Sequence, residues 1–420
     1  MDAWKSKRKK WTVLVYANGN NELSPEIYNR FKSLQREVKG KDIYVVVQLA
    51  GMSLQRLKLL RPQSELIIGE EWTGTGRFVL EEGEKVKVEE LGVVNMADPF
   101  TLYHFVTWGI ARYPAENIML ILSGHGAGFV GFMTDYTQDK PYIMTVGGFT
   151  NALYLSGKRV GKAIDCVLLD ACYMNMVELW YELACIPKNT VKYILAPMKN
   201  TSLEGISYPT VLKLLETNMP GRTYSTLKIV TEIFNEVYGL DNGLLLIRTN
   251  KQYFTGLRQV INKKVKQSNT DYALLFCQLN KKGFKIYNEP LLNLIVLDEL
   301  LKEGQKMTKM LKNIVVEPPI ERIPFEISMG PCLYFPFDLQ QYEDIKEIYR
   351  RLRFSYDSKW LNMIEGKNIA SQQQQIQSSY NFLPPPMVIP IKDVVSNILQ
   401  QNTTLSQQEV LEIIEQLGWR

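Results

Sequence analysis

The sequence predicts an α/β fold: a mostly parallel central sheet covered by helices on both faces. Three observations point there. Short β-rich runs recur along the chain and are apolar throughout rather than alternating, the pattern of strands buried on both sides. Stretches with helical periodicity separate them. With 420 residues, 45% hydrophobic and 22% charged, the chain can bury a core large enough for such a sheet.

Taken in order, "WTVLVYA" (11–17), "DIYVVVQLA" (42–50), "NIMLILS" (117–123), "IDCVLLDA" (164–171) and "VKYILAP" (191–197) read as buried strands. The clearest helix begins at "ADPFTLYHFVTWGIARY". Asp98 can cap it, Pro99 suits the first helical position, and Leu102, Phe105, Val106 and Gly109 follow the 3.6-residue period. Residues 56–92 interrupt the alternation with "LKLL", "ELIIGEEW" and "KVKVEELG", which suit hairpins projecting from the sheet. Residues 208–315 are mainly helical around a strand "GLLLIR" (243–248), and a last strand "PCLYFPF" (331–337) precedes an amphipathic helix at "YEDIKEIYRRLRF".

The domain organisation expected is a main domain over 1–365, a Gln/Pro-rich linker over 366–390 ("SQQQQIQSSYNFLPPP") and a small helical extension over 391–420. In the extension, Ser406 and Glu409 form a capping-box pattern. Val410, Ile413, Ile414 and Leu417 share one face, and Gly418 stands at the stop. That helix either docks a regulatory partner or folds back on the chain's own core.

Several function classes fall away. The net charge of +5 is concentrated in "KSKRKK" (5–10), a solvated arm rather than a nucleic-acid groove. No run approaches the length of a membrane span. The apolar run after the basic arm lacks a signal-peptide cleavage site, and five cysteines are too few and too scattered for a disulfide framework, so a cytoplasmic protein is expected. Gly126, Gly128 and Gly131 spell G-x-G-x-x-G after a strand, but "FMTDYTQDKP" follows instead of a helix, so a dinucleotide turn is rejected. Two histidines and scattered cysteines offer no spaced metal set.

What remains is "LILSGHGAGF" (120–129). It sets one of the chain's two histidines between glycines at a strand tip. The next strand ends in "VLLDACYMNMVELWYEL", placing Cys172 at a strand's C-terminal end, close to a helix N-terminus that would lower its pKa. On adjacent parallel strands His125 and Cys172 would face one crevice, the minimum apparatus for nucleophilic acyl transfer. The N–H groups of Gly126 and Cys172 would serve as two oxyanion donors.

"SGHGAG" followed by "LLDACYMNMVEL" resembles the His-Gly and Asp-x-Cys signatures of the clostripain family of cysteine peptidases, whose fold is shared with caspases, legumains and gingipains. "KKWTVLVYANGNNEL", "VVNMADPFTLYHFVTWG" and "SMGPCLYFPFD" extend the likeness over roughly residues 10–365. The resemblance implies a caspase-like α/β/α sandwich and an endopeptidase cutting proteins or peptides after Arg or Lys. Cys172 would be the nucleophile, His125 the general acid and base, and Asp170 the acid of the primary specificity pocket. Where the family has a further acidic stretch, "APMKNTSLEGISY" offers only Glu204. Self-cleavage between histidine and cysteine has Lys140, followed by Pro141, and Lys158, Arg159 and Lys162 as candidates. No cofactor is needed for this chemistry. Calcium binding by Asp135 and Asp139 is a weaker implication, since two acids lack the spacing of a calcium loop. The competing reading is a caspase-fold signalling or binding module with a silent dyad. In a third reading the tail occupies the crevice as an inhibitor or sensor.

Overall fold

The computed structural model describes residues 9–38, 42–62, 72–81, 84–218, 222–267, 272–282, 289–301, 305–336, 339–366, 380–402 and 405–419. The chain opens with β1 (Lys9–Gly19), α1 (Ser24–Glu37), β2 (Ile43–Gly51), α2 (Leu54–Leu60), β3 (Gly74–Glu81), β4 (Glu84–Gly92), α3 (Pro99–Arg112) and β5 (Ala115–Ser123). A small hairpin, β6 (Phe132–Asp135) and β7 (Tyr142–Met144), leads to α4 (Val146–Val160), β8 (Ile164–Asp170), α5 (Val177–Ala184) and β9 (Val191–Pro197). Then come α6 (Tyr208–Thr217), α7 (Thr223–Tyr238), β10 (Leu244–Arg248), α8 (Lys251–Gln267), α9 (Tyr272–Lys281), β11 (Leu291–Asn293), α10 (Leu294–Leu300), α11 (Lys306–Ile314) and β12 (Val315–Glu317). The last elements are β13 (Cys332–Tyr334), α12 (Leu339–Arg350), α13 (Arg353–Asp357), α14 (Trp360–Glu365), β14 (Met387–Val388), α15 (Ile391–Gln401) and α16 (Gln407–Gln416).

Nine strands form the main sheet in the order β12-β10-β9-β8-β5-β1-β2-β3-β4. The central run β9-β8-β5-β1-β2 is parallel, and the flanking pairs are antiparallel. Alternate residues of the apolar strands feed two separate cores. In β5, Ile118, Leu120 and Leu122 join a cluster with Phe105, Phe149 and Trp180, while Met119 and Ile121 join one with Phe31, Leu215 and Phe234. Both faces are therefore covered, which is why these strands carry no polar alternation. Asp98 caps α3 by accepting the Phe100 N–H, and Pro99 occupies the first turn, as the sequence indicates.

Some expectations need correction. "LKLL" belongs not to a hairpin but to α2, because Ser53 caps it and Leu57 and Leu60, three apart, bury one helical face. "ELIIGEEW" lies outside the described residues except for Trp72. The basic arm is outside them too, except Lys9 and Lys10, which begin β1.

The tail folds back on the chain's own core. α15 and α16 place Val394, Ile398, Val410, Ile414 and Trp419 against Met52, Leu57, Leu60, Tyr136 and Ile143. The capping box at Ser406 and Glu409 is present, and β14 pairs antiparallel with β7. Residues 367–379 of the expected linker lie outside the described residues, whereas 380–390 run along the body: the Tyr380 ring lies 5.2 Å from that of Tyr154, and Asn151 donates to the Phe382 carbonyl at 3.0 Å. No described helix is long and apolar enough to cross a membrane.

Candidate active site

The order of the parallel strands reverses at β1, with β2 on one side and β5 then β8 on the other. A crevice opens beyond the strand ends at such a switch point. Three turns converge there, following β1, β5 and β8. Ser123 and Asp170 are register partners at the ends of β5 and β8, and the Gly124 N–H donates to the Asp170 carbonyl at 3.3 Å. His125 and Cys172 each stand two residues beyond that pair, so both issue from the same end of neighbouring strands.

Gly126 seals the contact between the two turns. A Cβ placed there would lie 2.3 Å from the Cys172 carbonyl oxygen and 2.9 Å from Ala171 Cβ. Only a residue without a side chain allows this approach. On its other side the turn is tied to β6, with the Ala127 N–H donating to the Gly131 carbonyl and the Met133 N–H to the His125 carbonyl, both at 2.9 Å. In this bridge the Gly126 N–H is turned away from Phe132. Gly131 opens no helix, consistent with the rejection of a dinucleotide turn.

His125 is half-buried, and its Nε2 lies 3.0 Å from Glu22 Oε1. Burial lowers the imidazole pKa, but the Glu22 carboxylate opposes it and the net displacement is upward from the ordinary value. Glu22 was not anticipated from sequence. It comes from the turn after β1, where the "NGNNEL" asparagines stitch the chain to β6: Asn18 and Asn21 donate to the Thr134 carbonyl at 2.8 and 2.9 Å, and Asn20 to Asp135 at 2.7 Å. The signal available was its place at the C-terminal end of a buried parallel strand.

The expectation of a depressed Cys172 pKa is corrected. α5 begins at Val177, and Cys172 stands in the turn before it, beyond the first helical turn where the dipole acts. Burial pushes the thiol up, Asp170 and Glu289 add to the rise, and Thr201 opposes it with a hydrogen bond. Tyr173, next in sequence, holds a left-handed φ of 59° and donates its N–H to Asn200 Oδ1 at 2.6 Å, while Asn200 donates to Glu289 at 2.7 Å. A non-glycine residue in that conformation is held there by its surroundings, as at many functional turns.

Asp170 is fully buried rather than an open receptor. It pairs with Arg30 at 3.0 Å, accepts from Ser123 Oγ at 3.4 Å and the Ile206 N–H at 3.3 Å, and is hydrogen-bonded by the Tyr208 hydroxyl. The Glu204 side chain is exposed, and its backbone carbonyl takes part in holding Arg30. A cavity of about 660 Å³ lies over this cluster, lined by Arg30, Ser202, Gly205, Ile206, Tyr208 and Phe234.

The calcium ligands implied by the resemblance do not fit. Asp135 is buried and accepts from Asn20 and the Met96 N–H through Oδ2 and from Thr137 through Oδ1, so its oxygens are engaged in fixing the asparagine turn. Asp139 accepts from Tyr142 at 3.2 Å, and no cluster of three or more ligating side chains occurs among the described residues. Of the cleavage candidates, Lys140 is exposed before β7, whereas Lys158 and Arg159 lie in the last turn of α4 and Lys162 donates to the Glu116 carbonyl at 2.9 Å.

A model of the clostripain family matches residues 32–366. The chain belongs to the clostripain family. Clostripain of Hathewaya histolytica is 22% identical over 203 residues, 42% of this chain and 36% of that protein, so the match spans about a third of the relative's length. Among solved structures, a secreted C11 cysteine protease from Bacteroides thetaiotaomicron in complex with an irreversible peptide inhibitor superposes with a TM-score of 0.59 at 16% identity, covering 84% of this chain and 99% of the other. An inactive zymogen C11 protease from Parabacteroides distasonis gives 0.61 at 16% identity with the same coverage. These likenesses establish the caspase-like sandwich that the sequence resemblance implies for this clostripain-family chain.

Proposed function

We propose that the chain is a cysteine endopeptidase in which Cys172 and His125 act together on a peptide bond. The observation that carries the reading is the contact of the two turns, with Gly126 packed against the Cys172 carbonyl at the ends of register-paired strands. His125 takes the thiol proton as Cys172 Sγ adds to the scissile carbonyl. The oxyanion forms against the N–H groups of Gly126 and Cys172, each worth roughly 3–4 kcal/mol at most. The imidazolium then gives its proton to the leaving amine. Water, deprotonated by the same imidazole, hydrolyses the thioester and returns the thiol. Glu22 beside Nε2 stabilises the imidazolium formed in both steps.

Cleavage after Arg or Lys, as expected for the family, is supported by two carboxylates: Glu204 at the cavity's rim, and Asp170, which is held by the lining residues Arg30 and Tyr208 and becomes available once Arg30 gives way. The cavity adjoins the nucleophile, because Thr201, which hydrogen-bonds the thiol, immediately precedes the lining residue Ser202.

The test is cleavage of a peptide library by wild type, Cys172→Ala and His125→Ala, read by mass spectrometry. Both variants keep the fold and lose cleavage. Turnover surviving in either removes the mechanism. A silent dyad is the second reading, favoured by the upward displacement of the thiol pKa. Labelling of Cys172 by a peptidyl electrophile decides against it, and absence of labelling under every condition decides for it.

A further inference from the structure

The loop after β9 builds a receptor for one guanidinium group, and the chain's own Arg30 occupies it. Arg30 Nε donates to the Glu204 carbonyl at 2.9 Å, one terminal nitrogen to the Leu203 carbonyl at 2.6 Å, and the other to Ser123 Oγ at 3.1 Å and Asp170 Oδ2 at 3.0 Å. Gly205, at φ +65°, lies so close over this group that a Cβ would be 2.3 Å from Arg30 Cζ. The Arg30 side chain is only 12% exposed. Two carbonyls, a hydroxyl, a carboxylate and a glycine cover therefore surround a planar cation, arranged for its fork of donors. The site lies in the cavity that begins beside the nucleophile, where the side chain preceding the scissile bond would enter.

We propose that Arg30 is a specificity-determining residue, a resident occupant of the primary pocket that a substrate arginine or lysine has to displace from Asp170. This rests on Cys172 and His125 being the peptidase machinery. With Arg30 in place Asp170 is neutralised and its acceptor positions are filled, so a basic side chain gains little over an uncharged one. An incoming cation must also leave Arg30 buried without its partner or drive it out toward Glu26 and solvent. Both effects weaken ground-state binding of basic substrates, so Arg30 acts through KM more than through kcat.

The experiment measures kcat and KM for matched peptide amides carrying arginine, lysine or norleucine before the scissile bond, using wild type, Arg30→Met and Arg30→Met/Asp170→Asn. Removing the internal cation frees the acid, so Arg30→Met lowers KM for the arginyl and lysyl peptides by about tenfold or more. It changes the norleucyl values little, and the double variant loses the gain. An arginyl-to-norleucyl ratio unchanged by Arg30→Met overturns the proposal. If Arg30→Met does not fold, because Asp170 is left buried and unpaired, Arg30→Gln, which keeps a side-chain donor but removes the cation, is the decisive protein. Its arginyl-to-norleucyl ratio then rises above that of wild type, and an equal or lower ratio overturns the proposal. A norleucyl electrophile separates the two levels of failure. No labelling of Cys172 in wild type sinks the peptidase reading together with this one, whereas labelling with an unmoved ratio sinks this one alone.

Discussion

Gly126→Ala tests the architecture of the site most directly. The added Cβ would lie 2.3 Å from the Cys172 carbonyl oxygen, against 3.4 Å for an ordinary contact, so the histidine and cysteine turns have to part by about 1.1 Å. The obstacle is backbone rather than a flexible side chain, and Ala171 Cβ and Met174 Cε, each at 2.9 Å, close the lateral escape. A displacement of about 1 Å between catalytic groups costs on the order of 100-fold in rate. Overpacking a tight site costs about 1–3 kcal/mol of stability. The same Gly-to-Ala change at Gly147, in the first turn of α4, meets nothing within 4 Å and should leave stability unchanged or slightly raised. The assay is kcat/KM on a peptide amide for both variants, with thermal unfolding followed alongside. Gly126→Ala should lose about 100-fold in kcat/KM while Gly147→Ala keeps the wild-type value. A Gly126→Ala enzyme within threefold of wild type would refute the reasoning, since the two turns would then not need this close approach.

Other perturbations follow from the charges and the tail. Because Glu22 raises the His125 pKa, the acid limb of the kcat/KM profile should lie above the usual histidine range. Glu22→Gln should move it down, while Glu22→Asp restores part of the shift; a profile that does not move shows that Glu22 does not face the working imidazole. Glu178 is fully buried, accepts from the Tyr334 N–H and the Tyr349 hydroxyl, and is pushed up to about 7 by burial. The folded chain thus favours its protonated form, so stability is fully present below the unfolded carboxyl pKa and lost as pH rises through 7. The loss is about 3 kcal/mol, and Glu178→Gln should remove it in denaturant titrations across that range. Trp419 is 1% exposed and packs edge-on to Tyr136 at 5.4 Å, so Trp419→Ala should cost about 3–5 kcal/mol, read as a lower unfolding midpoint. Deleting residues 380–420 should destabilise the protein and lower its activity; a rise in activity would instead support an inhibitory tail.

The parallel sheet is legible because burial on both faces leaves an unmistakable apolar run, and the placement of His125 and Cys172 just beyond the same end of neighbouring strands is legible because each follows such a run. What stayed hidden depends on contacts between segments distant in sequence. Glu22 and His125 are brought together by the asparagine turn, and nothing in "NGNNEL" alone says which imidazole it will meet. The pairing of Asp170 with Arg30 is hidden because Arg30 lies on α1 with no pattern tying it to the strand end. The direction of the thiol pKa is hidden for a local reason. The one cap-type residue in "ACYMNMVELW", Asn175, does not cap the helix: its amide donates to the Ser328 and Gly330 carbonyls and Met176 holds the cap position, so nothing local shows that the helix starts as late as Val177. "LKLL" reads as a strand in sequence because a seven-residue helix is too short for periodicity to separate the two, and its burial is supplied by a tail more than 300 residues away in sequence.

One short segment serves both halves of the site. Between the end of β1 and the middle of α1, Glu22 faces the imidazole on one side and Arg30 the acid of the pocket on the other. Their placement is enforced from below by the Asn20 bond to Asp135, and from the tail side by the Tyr136 N–H, which donates to the Asn20 carbonyl at 2.7 Å beneath Trp419. The charge beside His125 and the charge paired with Asp170, which on the proposed reading competes with a basic substrate, are thus carried on one turn-helix unit. A shift of α1 would alter proton transfer and side-chain preference together, whereas a change confined to the loop after β9 would alter preference alone. The tail helices, packed on the segment that fixes this turn, can therefore reach the chemistry without touching Cys172 or His125. Variants at Trp419 that remain folded should move the acid limb of the pH profile in the same direction as Glu22→Gln.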